Sequence, residues 1–230
     1  DGDGVEQGTV TVSGSSATVP SFNFSDDSDD QGVYQILNSV PMASDFTITP
    51  LKDDNPLNGI TTYDLVLISK HILGIEPLGS AYKMIAADAN KSNSITTFDI
   101  VELRKLILGI YEELPDNTSW RFVDKAYDFP NPANPFTEPF PENISIAQAM
   151  THQTGEDFVG VKIGDVNNTV VANTLMASED RSVGTLLFDV ENREVKAGET
   201  LDVTFKAAEK TQGYQMTLNL KGLAVAEILN

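Results

Sequence analysis

The chain lacks cysteine entirely and contains only two histidines, His71 and His152. Without cysteine it forms no disulfide, and zinc ribbons, iron–sulfur clusters and thiol nucleophiles are excluded as well. It also lacks any run of about 18 apolar residues, the length that a membrane-spanning helix requires. The sequence therefore excludes a disulfide-stapled scaffold and predicts no insertion into a membrane.

Positive charge is scarce, with 15 Lys and Arg residues against 34 Asp and Glu residues and a net charge of −19. A chain of this charge repels the phosphate backbone of nucleic acids at long range, so we expect no nucleic-acid partner. The acidic surplus serves either solubility outside the cell or the binding of hard cations such as calcium. The positions of the acidic residues must decide between these two roles.

A gapless internal repeat occupies the middle of the chain. Residues 53–75 align with residues 88–110 at an offset of 35 residues, and 13 of the 23 aligned positions are identical. Apolar residues three and four apart predict an amphipathic helix in each copy, ended by Gly74 and Gly109. Because the polar segment before each helix is repeated too, the duplicated unit is a loop together with its helix.

The repeated polar segments fit a calcium loop of twelve residues, with oxygen ligands at positions 1, 3, 5, 7, 9 and 12. Short Asp, Asn, Ser and Thr side chains at this spacing can surround a hard cation, with position 7 contributing its backbone carbonyl. Position 6 requires a sharp turn, and asparagine, here Asn58 or Asn93, tolerates the positive φ of such a turn. The competing interpretation is a pair of Asx-rich turns that only cap the helices.

The predicted ligands of the second copy are, in order, Asp88, Asn90, Ser92, the Ser94 carbonyl, Thr96 and Asp99. Those of the first copy are Asp53, Asn55, Leu57, the Gly59 carbonyl, Thr61 and Asp64. Leu57 has no side-chain oxygen, so its own carbonyl, a water or a neighbour such as Asp54 would complete the first site. We therefore predict two Ca²⁺ sites, of which the second is the stronger.

A further Asp-x-Asn fragment, Asp165-Val166-Asn167, lies far outside the repeat. It could supply another pair of calcium ligands, but a turn at the end of a strand explains it more simply. We therefore leave Asp165 and Asn167 out of the predicted sites.

Two calcium loops that each end in Asp, and that each precede one helix, resemble a type I dockerin over residues 51–112. In that family the duplicated segment binds calcium and docks onto a cohesin, which is a β-sandwich. The resemblance implies a dockerin-like unit over residues 53–112 and a cohesin-like domain as its partner.

Strand patterns of period two flank this unit on both sides. Residues 1–7 are predicted to be a linker, and residues 8–52 a small β-sandwich that resembles a carboxypeptidase-regulatory-like domain. Residues 113–177 are predicted to be an irregular, proline-rich extension with short strands, and residues 183–230 resemble the first strands of a cohesin-like domain. This order is similar to that of secreted surface proteins from Bacteroidetes-type bacteria.

The expected fold class is multidomain and mainly β, with a small α dockerin-like unit. It comprises a β-sandwich, a paired calcium-loop/helix repeat and an incomplete cohesin-like β-sandwich. Residues 183–230 supply about four strands, whereas a sandwich has roughly seven. Either the protein continues beyond this chain, or strands of another copy complete the sheet by edge addition.

No nucleotide-binding loop, nucleophile elbow or metalloprotease helix occurs in the sequence, and we predict no enzymatic activity. The features favour a non-catalytic, calcium-binding structural or interaction module of a secreted adhesin, scaffold or filament at the cell surface. Its expected partner is a cohesin-like domain or further copies of itself. The alternative is an anchoring or spacer region of a secreted polysaccharide hydrolase or protease that docks on a cohesin.

Overall fold

A computed structural model describes residues 3–37, 40–173 and 200 of the chain. Backbone contacts group the chain into two units, Asp1–Ser178 and Glu179–Asn230. The cohesin-like strands predicted within 183–230 lie outside the described residues. Two antiparallel sheets and three helices form the described part, in the order β1 (Thr9–Ser15), β2 (Phe22–Asp27), β3 (Ser44–Leu51), α1 (Thr62–Ile72), α2 (Ala81–Ala87), α3 (Thr97–Ile107), β4 (Trp120–Asp124), β5 (Ile144–Ala149) and β6 (Phe158–Lys162).

The larger sheet has the strand order β2-β1-β3-β5. Alternation of apolar residues along β1 and β3 buries Val10, Val12, Phe46 and Ile48 on one face. The small β-sandwich predicted for residues 8–52 is therefore wrong, since the structure has one sheet there rather than two. The prediction failed because β3 also pairs on its other edge with β5, about a hundred residues away, where Ile144 lies opposite Ile48.

The sequence pattern of residues 32–36 also predicts a strand within the 8–52 region, but this segment is not a strand in the structure. Side-chain carboxylates take up its backbone donors, because Asp29 accepts the N–H of Val33 and Asp26 accepts the N–H of Gln35. These donors are then not available for a sheet ladder. Tyr34 and Ile36 nevertheless pack against the apolar face of the larger sheet.

Helices α1 and α3 confirm the two amphipathic helices that the repeat predicts. Both end in the same way, with Gly74 at φ 68° and Gly109 at φ 66°. The N–H of Ile75 bonds to the Lys70 carbonyl, and that of Ile110 bonds to the Lys105 carbonyl, each at 2.9 Å. This 6→1 bond is the one that defines a Schellman C-cap, so the repeat extends to the ends of the helices.

Helix α2 was not predicted. It is only seven residues long, and its buried residues include Ala81, Met84 and Ile85, spaced as on a helix face. Because α2 ends at Ala87, the second loop has a helix on both sides, whereas the sequence predicted only the following one.

Residues from the predicted extension belong to the central core. Strand β4 pairs with β6, and the fully buried Val123 and Ile163 lie in the same apolar cluster as Ile68 of α1 and Leu103 of α3. The duplicated helices are thus packed against chain that follows them by many residues. None of the described helices is both long enough and apolar enough to cross a membrane.

Candidate metal centre

The second loop is held between two helices, and its terminal carboxylates are fully buried. Asp88 directly follows α2, Asp99 lies in the first turn of α3, and both side chains have a relative exposure of 0%. Neither carboxylate forms an ion pair within the described part of the chain. Burying two such groups as anions is costly unless a cation compensates them.

The loop backbone folds around these two carboxylates. Asp88 accepts the N–H of Ser92 on Oδ1 and that of Asn93 on Oδ2, both at 2.9 Å. Asp99 accepts the N–H of Asn90 on Oδ1 at 3.2 Å and that of Thr96 on Oδ2 at 2.8 Å. The first and last positions of the loop are thereby tied to positions 3, 5, 6 and 9.

The remaining predicted ligands of this loop also lie together. The Ser92 hydroxyl is 3.2 Å from the Ser94 carbonyl, and Asn90 Oδ1 accepts the Ser92 N–H at 3.1 Å. Asn93 has a φ of 60°, as the turn at position 6 requires. The structure thus brings together all six residues predicted for the second site, namely Asp88, Asn90, Ser92, Ser94, Thr96 and Asp99.

The electrostatics of the second loop favour a bound cation. Burial raises the pKa of Asp88, the N–H groups of Ser92 and Asn93 lower it, and the nearby Asp99 carboxylate raises it again. A carboxylate whose proton affinity is raised by a neighbouring carboxylate lies in a negative potential that also attracts other small cations.

The second half of the first loop has the same geometry. Asp64 is fully buried, and its Oδ2 accepts the N–H of Thr61 at 2.8 Å and the Thr61 hydroxyl at 2.7 Å. Thr96 and Asp99 form the corresponding bonds in the second loop. Positions 9 and 12 of the two loops are therefore equivalent in structure as well as in sequence.

The first half of the first loop does not join this arrangement. Asp53 Oδ1 accepts the N–H of Ser119 at 2.7 Å and its hydroxyl at 2.9 Å, Asn55 is exposed, and Leu57 is 48% exposed. No hydrogen bond in the described residues links any of the three to Asp64.

The turn predicted at position 6 of the first loop is also wrong. Asn58 does not have a positive φ, which occurs instead at Gly59, with φ 80°. The Asn58 amide is held by the backbone of Val171, whose N–H and carbonyl it bonds at 3.0 and 2.8 Å.

The turn that contains Asp165 and Asn167, which is not among the predicted sites, lies against Asp64 instead. Asp64 Oδ1 accepts the N–H groups of Val166 and Asn167 at 3.0 and 3.2 Å. The neighbouring Asp165 is 4% exposed and accepts the N–H groups of Thr169 and Val170 at 3.1 and 2.7 Å. The Asp165-x-Asn167 fragment was the only signal for this in the sequence.

Two buried groups near this turn have shifted pKa values. Burial raises the pKa of Asp165, partly offset by the N–H groups of Thr169 and Val170, and the Asp64 carboxylate raises it further. Burial lowers the pKa of Lys162 to about 8, against the attraction of nearby carboxylates, of which Asp165 is the strongest. The Lys162 ammonium donates to the Pro56 carbonyl at 2.7 Å rather than to a carboxylate.

Among the described residues, no three His, Cys, Asp or Glu side chains converge. Each predicted ligand set contains two carboxylates together with neutral amide, hydroxyl and carbonyl oxygens, a composition that calcium accepts. The chain matches no protein-family model, no curated protein and no solved structure, so its likeness to a dockerin depends on the repeat alone.

Proposed function

We propose that this chain is a non-catalytic calcium-binding module in which bound Ca²⁺ stabilises the packing of the duplicated helices. The observation that carries the proposal is the pair of fully buried carboxylates, Asp88 and Asp99, at the two ends of the second loop, neither of which forms an ion pair within the described residues. An ion bound between them would offset the cost of burying both charges.

The proposal places the module outside the cell, at a cell surface. Calcium-binding modules of extracellular proteins work with dissociation constants of roughly 10⁻⁴ to 10⁻³ M, which neutral ligands beside only two carboxylates can provide. The large negative charge of the chain, −19, is compatible with that setting. In this role the ion is a structural element of the fold.

The test is a calorimetric calcium titration, combined with thermal melts in calcium and in chelator. We expect the wild-type chain to bind calcium and to melt at a higher temperature in its presence. The double variant Asp88→Ala, Asp99→Ala should lose the second site and most of this increase. A matched control is Glu112→Ala, Glu113→Ala, which removes the same charge from two exposed positions. Absence of calcium binding by the wild-type chain would refute the proposal.

A second role, docking of a protein partner, is favoured by apolar residues that are exposed in both copies of the repeat. Val66 and Val101 are 43% and 41% exposed, Leu73 and Leu108 are 70% and 38% exposed, and Ile75 and Ile110 are 69% and 64% exposed. The two members of each pair are 35 residues apart. Exposed apolar residues that recur in this way are typical of an interaction surface.

We propose a cohesin-like β-domain as the partner for this surface, with another copy of the chain as the competing possibility. Sedimentation of the chain over a range of concentrations in calcium separates the two. If the chain is a monomer at every concentration, self-association is excluded and the cohesin-like β-domain remains the proposed partner. Self-association that is abolished in Leu73→Glu, Leu108→Glu would assign the surface to copies of the chain.

A further inference from the structure

The turn after β6 repeats the backbone geometry of the first half of the second calcium loop. Asp88 accepts the N–H groups of the residues four and five positions later, Ser92 on Oδ1 and Asn93 on Oδ2. Asp165 does the same, accepting the N–H of Thr169 on Oδ1 and that of Val170 on Oδ2. Asp165 therefore stands where position 1 of a calcium loop stands.

The turn that begins at Asp165 contacts the second half of the first loop in the same way as the first half of the second loop contacts its own second half. In the second loop, Asp99 Oδ1 accepts the N–H of the position-3 residue, Asn90. In the first, Asp64 Oδ1 accepts the N–H of Asn167 at 3.2 Å, and Asn167 is the third residue counted from Asp165. The last carboxylate of each loop thus contacts an asparagine at position 3.

The same equivalence holds at positions 5 and 7. In the second loop the Ser92 hydroxyl lies 3.2 Å from the Ser94 carbonyl. The Thr169 hydroxyl, fifth from Asp165, lies 2.9 Å from the carbonyl of Gly59, which is position 7 of the first loop. Gly59 approaches Asp165 so closely that a Cβ atom there would be 2.7 Å from Asp165 Oδ2.

Asn167 provides an independent sign that a ligand is bound here. Its side-chain oxygen is buried and has no hydrogen-bond partner among the described residues. A buried acceptor left unsatisfied destabilises the folded state, and a metal ion coordinated by that oxygen would remove this cost. The two carboxylates that accept the backbone N–H of Asn167, those of Asp64 and Asp165, are 0% and 4% exposed and form no ion pair within the described residues.

We propose that the first calcium ion is bound by a composite loop formed from two segments about a hundred residues apart. Its ligands are Asp165, Asn167 and Thr169 at positions 1, 3 and 5, followed by the Gly59 carbonyl, Thr61 and Asp64 at positions 7, 9 and 12. Six oxygens, two of them from carboxylates, match the composition of the second site.

The composite loop replaces the first half of the first repeat. Asp53, Asn55 and Leu57, which the sequence predicts at positions 1, 3 and 5, are not ligands. The missing oxygen at Leu57 then needs no substitute, because Thr169 supplies the oxygen at position 5. This inference rests on the proposed calcium-binding function and specifies which residues perform it at the first site.

The experiment compares the three asparagines that could stand at position 3, in the full chain titrated with CaCl₂ by calorimetry. Asn167→Ala removes the proposed ligand of the composite site, and Asn90→Ala removes the equivalent ligand of the second site. Asn55→Gly removes the ligand predicted from sequence, with glycine chosen because Asn55 has a φ of 46°.

We expect wild type to bind two ions. Asn167→Ala and Asn90→Ala should each weaken one of the two sites by about tenfold or more, since the affinity of such loops follows the number and charge of their ligands. Asn55→Gly should bind both ions as wild type does. Asn167→Asp, which keeps an oxygen at position 3, should retain both sites.

The outcomes separate this inference from the proposed function. If wild type binds two ions, and Asn55→Gly weakens one of them while Asn167→Ala does not, the composite loop is refuted and calcium binding stands. If wild type binds a single ion that Asn90→Ala weakens and Asn167→Ala leaves unchanged, the composite site does not exist. If wild type binds no calcium, the proposed function itself fails. If Asn167→Ala does not fold in chelator, Asn167→Asp and Asn167→Ser, which both keep an oxygen at position 3, are compared with Asn55→Gly. Loss of a site in Asn55→Gly alone refutes the composite loop.

Discussion

At Gly59 the first calcium loop approaches the segment 165–170 closely. It has a φ of 80°, and a Cβ atom built on it would lie 2.7 Å from both Asp165 Oδ2 and Val170 Cα. Glycine is therefore required there for its conformation and for its lack of a side chain. Gly74 shares only the first requirement, because its φ is 68° and a Cβ atom added to it would meet no other described part of the chain within 4 Å.

The pair Gly59→Ala and Gly74→Ala separates these two requirements. We expect Gly74→Ala to lower the free energy of unfolding by about 1 kcal/mol, the cost of a positive φ in alanine. Gly59→Ala should lower it by roughly 2 kcal/mol more, because backbone atoms must move apart to admit the methyl group. Denaturant melts in chelator measure both effects, and equal losses would show that the close approach is not constrained.

Lys162 should make stability depend on pH in the alkaline range. Its pKa is lowered from 10.5 to about 8 in the folded protein, mainly by burial. Between these two values the unfolded chain binds more protons than the folded one, so the free energy of unfolding should rise as pH increases from 8 towards 10.5. Over the whole interval the increase is about 3 kcal/mol.

The control for this prediction is Lys162→Met, which keeps a long apolar chain but cannot titrate. Denaturant melts of both proteins in chelator, at several pH values from 7 to 10, should show a steeper increase in wild type. Parallel curves for the two proteins would mean that Lys162 is not the group responsible.

At the scale of single residues, the sequence predicted which residues lie together in the second loop, whereas in the first loop it did so only for the second half. Residues 88–99 are contiguous, so the spacing of oxygens along the chain reflects their placement in the folded loop. Asp64 instead meets Val166 and Asn167, from which it is separated by 102 and 103 residues. Spacing along one repeat cannot reveal a contact of that length.

At the scale of elements, each duplicated helix has one face in the core and one in solvent. On α3, Leu103 is 0% exposed and Val101 is 41% exposed. Leu103→Ala should lower the free energy of unfolding by about 2 to 5 kcal/mol, because it leaves a cavity in the central cluster. Val101→Ala should change it by less than about 0.5 kcal/mol. Thermal or urea melts measure both, and similar losses would contradict the assigned orientation of the helix.

The helices were predictable from sequence where the apolar spacing recurred over enough residues. Helices α1 and α3 have eleven residues each and follow from their apolar spacing. Helix α2 has seven residues, about two turns, and this is too short for a reliable period. Strand β5 was missed because Ile144 and Ile146, its only large apolar residues, lie in a polar stretch, and it is completed by pairing with β3.

At the scale of the whole molecule, the duplicated unit is not a separable domain. Its core cluster contains Val123, Val161, Ile163 and Val166, all of which come from chain beyond residue 112. A fragment of residues 51–112 should therefore show little helix by circular dichroism, even in saturating calcium, whereas residues 3–173 should fold. A fragment that folded alone with two bound ions would contradict both this prediction and the composite loop.

The contact of Asp64 with Val166 has a mechanical consequence. It closes a loop of 102 residues, whose contour length when extended is about 350 Å. If tension is applied to the two ends of the folded unit, this junction must yield before that length is released. An ion coordinated there would raise the force required for its release, so the extension of the molecule under load would depend on the calcium concentration around it.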